Sequence, residues 1–368
     1  MVAPIPLKYK EDWPKARERL LAYWEHHDIV DRVCIGVTAP QKEQTLLPES
    51  PDIVEQQVGL DLHVERLNVA FSNTYFGGEA LPVSGSHLGY AVFGGEPSFG
   101  RGESGYGITD WVWVDPVIED WEQSPYRFDR NSKWTQRFLD VTRAEYNDSV
   151  GKCFTVLGAI LSPTDVLSLL RGSGNLCIDL IDRPDTVHEA LSELLAAYKW
   201  LQSWYFELTN AMSNGSIVMG MWAPGCNCSP TCDFSCEISV KHYQEFVMPE
   251  IEEIARWSDH SFYHLDGADA LRHLPALLEL KELDGVQFAR GAVEAGKSVM
   301  RWTHVYKQIQ NAGKLQHISV EYDEVEPLVK ELGPKGIFID TTAPSIEAAD
   351  DLLKNAEKWS CGKVYPVS

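Results

Sequence analysis

The chain has 368 residues, 44% of them hydrophobic and 23% charged, which is material for a large globular core in one big domain or two ordinary ones. Its formal net charge of -22 argues against nucleic acid and anionic membrane surfaces as partners, because both need basic patches, and it counts against a polyanionic substrate. No run approaches the roughly 18 uninterrupted apolar residues of a membrane span, and residues 1–13 hold Lys8, Lys10, Glu11 and Asp12 without a secretory pattern, so a cytoplasmic location is the default expectation.

In chain order, helical patterns alternate with short apolar runs. A helix is expected over 13–28, a strand over 33–37, a helix over 53–67 and a short strand over 69–72. The stretch 74–129 is rich in Gly, Trp and Phe and has no helical pattern. It reads as an insertion, either a lid or substrate-binding segment, or an outer hairpin in which Trp111 and Trp113 simply pack along an alternating strand. A strand over 153–157, a helix over 165–170 and a long helix over 184–211 follow. Then come a strand over 217–221, a cysteine-rich loop and a helix over 240–257. The last third is regular: strands over 262–265, 286–289, 315–320 and 337–339, with helices over 268–280, 299–310, 324–332 and 346–358. Eight strands alternating with helices predict an α/β fold, a single (β/α)8 TIM-barrel domain over 1–368 with an insertion at about 74–129.

In such a barrel the chemistry sits where strands end. The run Phe262-Tyr263-His264-Leu265-Asp266-Gly267 ends a strand, and residues two apart share a face, so His264 and Asp266 converge on one atom. A buried histidine beside a helix-capping aspartate is the plainer alternative. Other strand ends offer Thr38, Asn73 with Tyr75, Trp222 to Cys228, Gln287 to Arg290, Ser319 with Glu321, and Asp340 with Thr341 and Thr342. Cys34, Cys153, Cys177 and Cys361 are scattered and fit small hydrophobes in a core. Cys226, Cys228, Cys232 and Cys236 crowd one loop, but their spacing matches no familiar zinc or iron–sulfur pattern. Three readings stay open for them: a held metal, a reactive thiol, or incidental cysteines. Ser239 reads as an N-cap three residues before His242, which would put Cys236 at a helix entrance where its thiol pKa falls. A dinucleotide fingerprint, a phosphate loop and an HExxH zinc helix are all missing from the sequence.

The runs Asp165-Val166-Leu167 through Leu170-Arg171-Gly172, Leu176 to Leu180 with Pro184, and Cys232-Asp233-Phe234-Ser235 resemble the uroporphyrinogen decarboxylase-like superfamily. So do Phe262 to Gly267 with Ala270-Leu271-Arg272-His273-Leu274, and the final Thr341-Thr342-Ala343. That group also includes corrinoid-dependent methyltransferases and resembles the catalytic barrel of cobalamin-independent methionine synthase. True uroporphyrinogen decarboxylases hold their substrate's carboxylates with an N-terminal Arg-Gln-Ala-Gly-Arg motif. Here the corresponding segment is Val37-Thr38-Ala39-Pro40-Gln41, without arginine, so porphyrinogen decarboxylation is not expected. The corrinoid-type members bind zinc through a His-x-Cys pair and a cysteine near the last strand. His264 matches that histidine, whereas Asp266 stands at the first cysteine and Asp340, Thr341 and Thr342 occupy the second region.

The resemblance implies a group-transfer enzyme, a metal-assisted methyltransferase working with a corrinoid, folate or thiol partner at the barrel mouth. Its expected zinc ligands are His264 and Asp266 with Cys228 or Cys232, and its catalytic groups His264, Asp266 and Glu321. Tyr75, Trp222, Asp233, Gln287, Arg290, Thr341 and Thr342 are the expected substrate contacts, with Arg290 as anchor. A corrinoid protein and a second copy of the chain are the expected macromolecular partners. Two other readings stand beside it: a metal-free decarboxylase or lyase acting on a small carboxylated substrate, and a non-catalytic binding barrel.

Overall fold

From Asn227 to Ser360, strand and helix alternate with the regularity the apolar runs predict. A computed structural model describes residues 7–26, 29–85, 87–104, 107–123, 125–158, 160–294 and 296–360. Its strands are β1 (Cys34–Pro40), β2 (Thr74–Gly78), β3 (Val83–Ser84), β4 (Pro97–Ser104), β5 (Gly107–Val114), β6 (Phe154–Thr155) and β7 (Ser216–Val218). They continue as β8 (Met221–Ala223), β9 (Asn227–Cys228), β10 (His260–Asp266), β11 (Gly285–Ala289), β12 (Leu315–Ser319) and β13 (Ile337–Thr342). The main sheet runs in the order β2-β1-β13-β12-β11-β10-β9. All neighbours in it are parallel except β2, which lies antiparallel on β1. A separate parallel pair joins β3 to β6. The backbone ladder thus links seven strands, and it does not by itself draw the closed ring of eight that the sequence predicts. With only two residues each, β3, β6 and β9 have too little backbone to carry a continuous ladder.

Apolar packing makes up for the short strands. One core lies between the sheet and the helices outside it, with Ile35, Val37, Leu265, Val286, Ile318 and Ile339 at its centre. A second gathers under the N-terminal ends of the strands, where the helix Trp13–His26 lays Trp13, Leu20, Tyr23 and Trp24 against Phe154, Trp222, Phe262 and Phe338. Trp13 meets Phe154 and Trp222 edge-on at centroid distances of 4.9 and 5.5 Å, and the Trp24 Nε1–H donates to the Trp222 carbonyl at 2.9 Å. Behind β1, the fully buried Glu79 accepts from Arg32 at 2.7 Å, from Arg19 at 3.2 Å and from the Ile35 N–H at 2.8 Å, locking helix and strand together.

Three sequence expectations are corrected, and one helix has no counterpart among them. Residues 69–72 finish the helix Leu60–Ser72 instead of forming a strand, since the Asn73 N–H still bonds the Val69 carbonyl. The helix expected over 53–67 breaks at Gly59, which ends Ile53–Val58 and starts Leu60–Ser72. The strand expected over 217–221 is a hairpin, β7 and β8, turning at Met219 and Gly220 with φ of 51° and 75°. The helix Lys133–Ser149 escapes sequence reading because Thr135, Thr142 and Glu145 share its buried stripe with Trp134, Phe138 and Val141, blurring the apolar period. Within 74–129, the alternating Trp111-Val112-Trp113-Val114 does form one arm of a hairpin, β4 with β5. The helix over 240–257 contains a π-turn at Tyr243–Val247, just ahead of Pro249, which has no N–H to give.

Candidate functional site

Alternation along β10 puts His264 and Asp266 on one face, and Gly267, at φ 81°, turns the chain immediately afterwards. The loop after β9 runs alongside, with the His264 N–H donating to the Pro230 carbonyl at 3.0 Å and Thr231 bridging His264 as a strand would. That contact delivers Asp233, at the start of the 3-10 turn Asp233–Glu237. One ligand atom each from Asp233, His264 and Asp266 lies within 4.8 Å of the others. Around a single zinc ion at about 2.1 Å, ligand atoms sit within about 4.2 Å of one another. A small carboxylate rotation therefore closes the set, and one nitrogen with two oxygens suits zinc or a harder divalent ion.

The imidazole is held from behind by a chain crossing four parallel strands. His264 Nδ1 lies 2.6 Å from Gln287 Oε1 on β11, and Gln287 Nε2 lies 2.9 Å from His317 Nδ1 on β12. His317 Nε2 lies 2.5 Å from Asp340 Oδ1 on β13, which also accepts from the Ser319 hydroxyl at 2.7 Å. With the Gln287 amide oriented Oε1 toward His264, one proton arrangement satisfies every partner along the chain. His317 donates from Nε2, Gln287 donates to His317, and His264 donates from Nδ1. His264 Nε2 is then left with its lone pair toward Asp233 and Asp266. Burial alone would raise the Asp340 pKa, but the bonds from His317 and Ser319 hold it below the usual carboxylate range.

Three carboxylates at or near the cluster, Asp266, Asp165 and Glu250, titrate upward. Burial raises Asp266, and Asp233 adds to this against the moderating His264. Asp165, 3% exposed, is pushed up to about 7 by burial and by Asp233, although the Phe234 N–H donates to its Oδ1 at 3.0 Å. Glu250, which accepts from the Thr164 N–H and hydroxyl, is also raised by burial.

The cysteines stay out of the cluster. Cys228 is 1% exposed and pairs with Cys226, and its thiol is raised first by that bond and then by burial. Cys232, 3% exposed, is raised by burial and by the charges of Asp165 and Glu250. Neither thiol joins the three donors among the described residues, which corrects the expectation that one would complete a metal site. Ser239 does cap the helix beginning at Val240 by accepting from the His242 N–H. Cys236, however, belongs to the preceding 3-10 turn, and burial raises its thiol instead of the helix end lowering it. Cys34 and Cys153 are buried as expected and Cys177 is half-buried, while Cys361 lies outside the described residues.

The remaining expected residues divide. Gln287 and Asp340 belong to the relay, and Thr342 shares Asp340's face, its hydroxyl 3.0 Å from that of Thr38. Thr341 points the other way and is buried. Trp222 lies in the core at the far end of the strands. Tyr75 donates to Asp350 on the last helix at 2.6 Å, Arg290 donates to the Lys297 carbonyl at 2.7 Å, and Glu321 is exposed ahead of a 3-10 turn. Sequence reading missed His317, and it noted Asp165 only within a run carrying the family resemblance, not as part of the site. The only available signal for His317 was its place in an apolar strand next to one that carries Gln287.

A cavity of about 440 Å³ opens from Asp233 and His264 between Tyr198, Leu157, Ile160 and Met219. A second, of about 320 Å³, shares Asp233 and Leu161 and is bounded by Asp165 and by Trp113 of the hairpin. The long insertion therefore does reach the site.

No family model and no curated protein matches the chain. Among solved structures, a methyltransferase from Methanosarcina mazei matches with a TM-score of 0.59 at 14% identity, covering 96% of this chain and 98% of that one. At that identity the likeness concerns architecture alone: this chain shares the mixed α/β fold of that protein from end to end.

Proposed function

We propose that this chain is a metal-assisted methyltransferase whose ion is held by Asp233, His264 and Asp266. The observation that carries the reading is the convergence of these three donors at the C-terminal ends of parallel strands, with the His264 ring fixed by Gln287. Zinc, when bound there, would lower the pKa of an acceptor thiol or hydroxyl and so make it nucleophilic at neutral pH. The chain's own residues do the rest. Gln287 and His317 hold the imidazole in one tautomer, and the apolar walls around Leu157, Ile160 and Met219 exclude water from the acceptor. The methyl group leaves its donor without the bonding electron pair, and the acceptor's proton passes to solvent at the mouth. A corrinoid or folate is the proposed donor, and the cavity beside Trp113 is where it approaches. The whole-length likeness to a methyltransferase supports this reading.

We also read the strands as a closed (β/α)8 barrel. Its support is the second core, which draws Cys34, Leu81, Phe154, Val218, Phe262, Leu315 and Phe338 from successive positions around the ring.

The test combines metal and turnover. Metal-free protein titrated with zinc is expected to take up one equivalent, and His264→Ala is expected to take up none. With zinc restored, methylcobalamin and a panel of small thiols should give demethylated corrinoid, followed by its absorbance. One equivalent of zinc bound equally well by His264→Ala would sink the ligand assignment.

A further inference from the structure

Two of the loop cysteines meet each other instead of the proposed metal cluster: the Cys226 and Cys228 side chains share a hydrogen bond. The backbone explains why. Asn227 pairs with His260 and Cys228 with Ser261, and the ladder reaches one residue further back, where the Asp259 N–H donates to the Cys226 carbonyl at 2.8 Å. The Cys226 N–H in turn donates to Asp259 Oδ2, also at 2.8 Å. Residues two apart in an extended segment share a face. Both thiols therefore point one way, while Asn227 between them turns the other and donates to the Ala223 carbonyl at 2.9 Å.

At about 3.3 Å per residue, the two Cα atoms are roughly 6.6 Å apart. That lies inside the span of about 4.4–6.8 Å that a disulfide bridges, near its upper end. A bond made there needs little movement of the pinned backbone, and its residual tension makes it easy to reduce.

The two thiols differ in the way a reversible pair requires. Cys226 is half-buried and open to a reagent, and the bond from Cys228 favours its thiolate against burial and the charge of Asp259. Cys228 is 1% exposed, and its thiol is shielded from direct attack. It also meets the Tyr198 hydroxyl, and Tyr198 lines the larger cavity, so the state of the pair is felt at that wall.

We propose that Cys226 and Cys228 form a reversible dithiol–disulfide pair that exchanges with small-molecule disulfides such as oxidised glutathione. The Cys226 thiolate attacks one sulfur of the reagent, whose S–S bond breaks to release one thiolate. Cys228 then loses its proton, and its sulfur displaces the second thiolate from Cys226. The two protein thiols are oxidised, and the reagent leaves as two reduced thiols carrying the two protons. The pair needs neither a metal nor the methyltransferase reading.

In the test, the full chain is equilibrated without denaturant in glutathione buffers of rising oxidised fraction. It is then quenched with acid, unfolded, alkylated and mapped by peptide mass. The expected loss is of two alkylatable thiols, both from the segment holding Cys226 and Cys228, which becomes two hydrogen atoms lighter. Dithiothreitol should restore them, and the buried Cys34 and Cys153 should stay fully alkylated throughout. In Cys226→Ser the link should vanish, whereas Cys232→Ser and Cys236→Ser should keep it. A lasting glutathione adduct on Cys226 beside a free Cys228 would overturn the proposal. So would reaction of Cys177 or Cys236 in buffers that leave the pair reduced, or a link that survives in Cys226→Ser. The peptide map of the unaltered chain decides the matter even where a variant fails to fold.

Discussion

At the scale of single residues, the relay behind His264 is where small changes have large consequences. Gln287→Leu removes the acceptor for the His264 Nδ1 proton while leaving all three proposed ligands in place. Partners of this kind typically alter metal affinity by about 10–100-fold, so Gln287→Leu is expected to weaken zinc binding by that range in a competition titration. Gln287→Glu keeps an acceptor facing His264 and should recover most of it. Asp165 makes the second prediction. Its pKa of about 7 lies above its ordinary value of 3.8, so between those limits the folded protein binds a proton that the unfolded chain has released. Stability of the metal-free protein should therefore fall as pH rises from about 4 to 7, by on the order of 4 kcal/mol from this group alone. Asp165→Asn should flatten that slope in urea melts at a series of pH values; an unchanged slope would show that the carboxyl is ionised throughout.

At the scale of elements, the hairpin β4–β5 and the regular strands behave differently. Trp113 is 52% exposed yet bounds the smaller cavity. Its replacement by alanine should change stability by less than about 0.5 kcal/mol, and, on the proposed function, should raise the KM for the proposed methyl donor with zinc uptake unchanged. A thermal midpoint that drops with no change in KM would instead make Trp113 a packing residue. Legibility from sequence followed element length. Strands β10 to β13 are runs of mostly buried residues, five to seven long, and were found within a few positions. A two-residue strand such as β3 leaves no periodic signal and was missed along with β2, whereas β1 and β6 fall at the strands expected over 33–37 and 153–157. His264 and Asp266 were legible because they are near neighbours on one strand. Asp233 was picked out as a substrate contact but not for the proposed metal cluster, since only the Thr231–His264 bridge brings it to the other two. The expected thiol ligands failed for a related reason: spacing in a loop says nothing about which side of the chain faces a core.

For the molecule as a whole, the first helix is tied to the sheet through one buried carboxylate. Glu79 is fully buried beneath Arg19 and Arg32, and Glu79→Ala leaves both guanidiniums facing a vacant acceptor site. Breaking a buried pair in this way costs about 3–5 kcal/mol, to be read as a lower urea midpoint with an unchanged slope. The helix so anchored has a kinetic corollary. Val83, Ile217 and Met219, which wall the larger cavity, rest on the aromatic layer that this helix completes. Among the described residues, that layer floors the chamber, and Asp233 and His264 lie toward its other end. If the proposed chemistry takes place at Asp233 and His264, a product held against that floor would have to pass them on its way out, so its departure and the next arrival would share one passage.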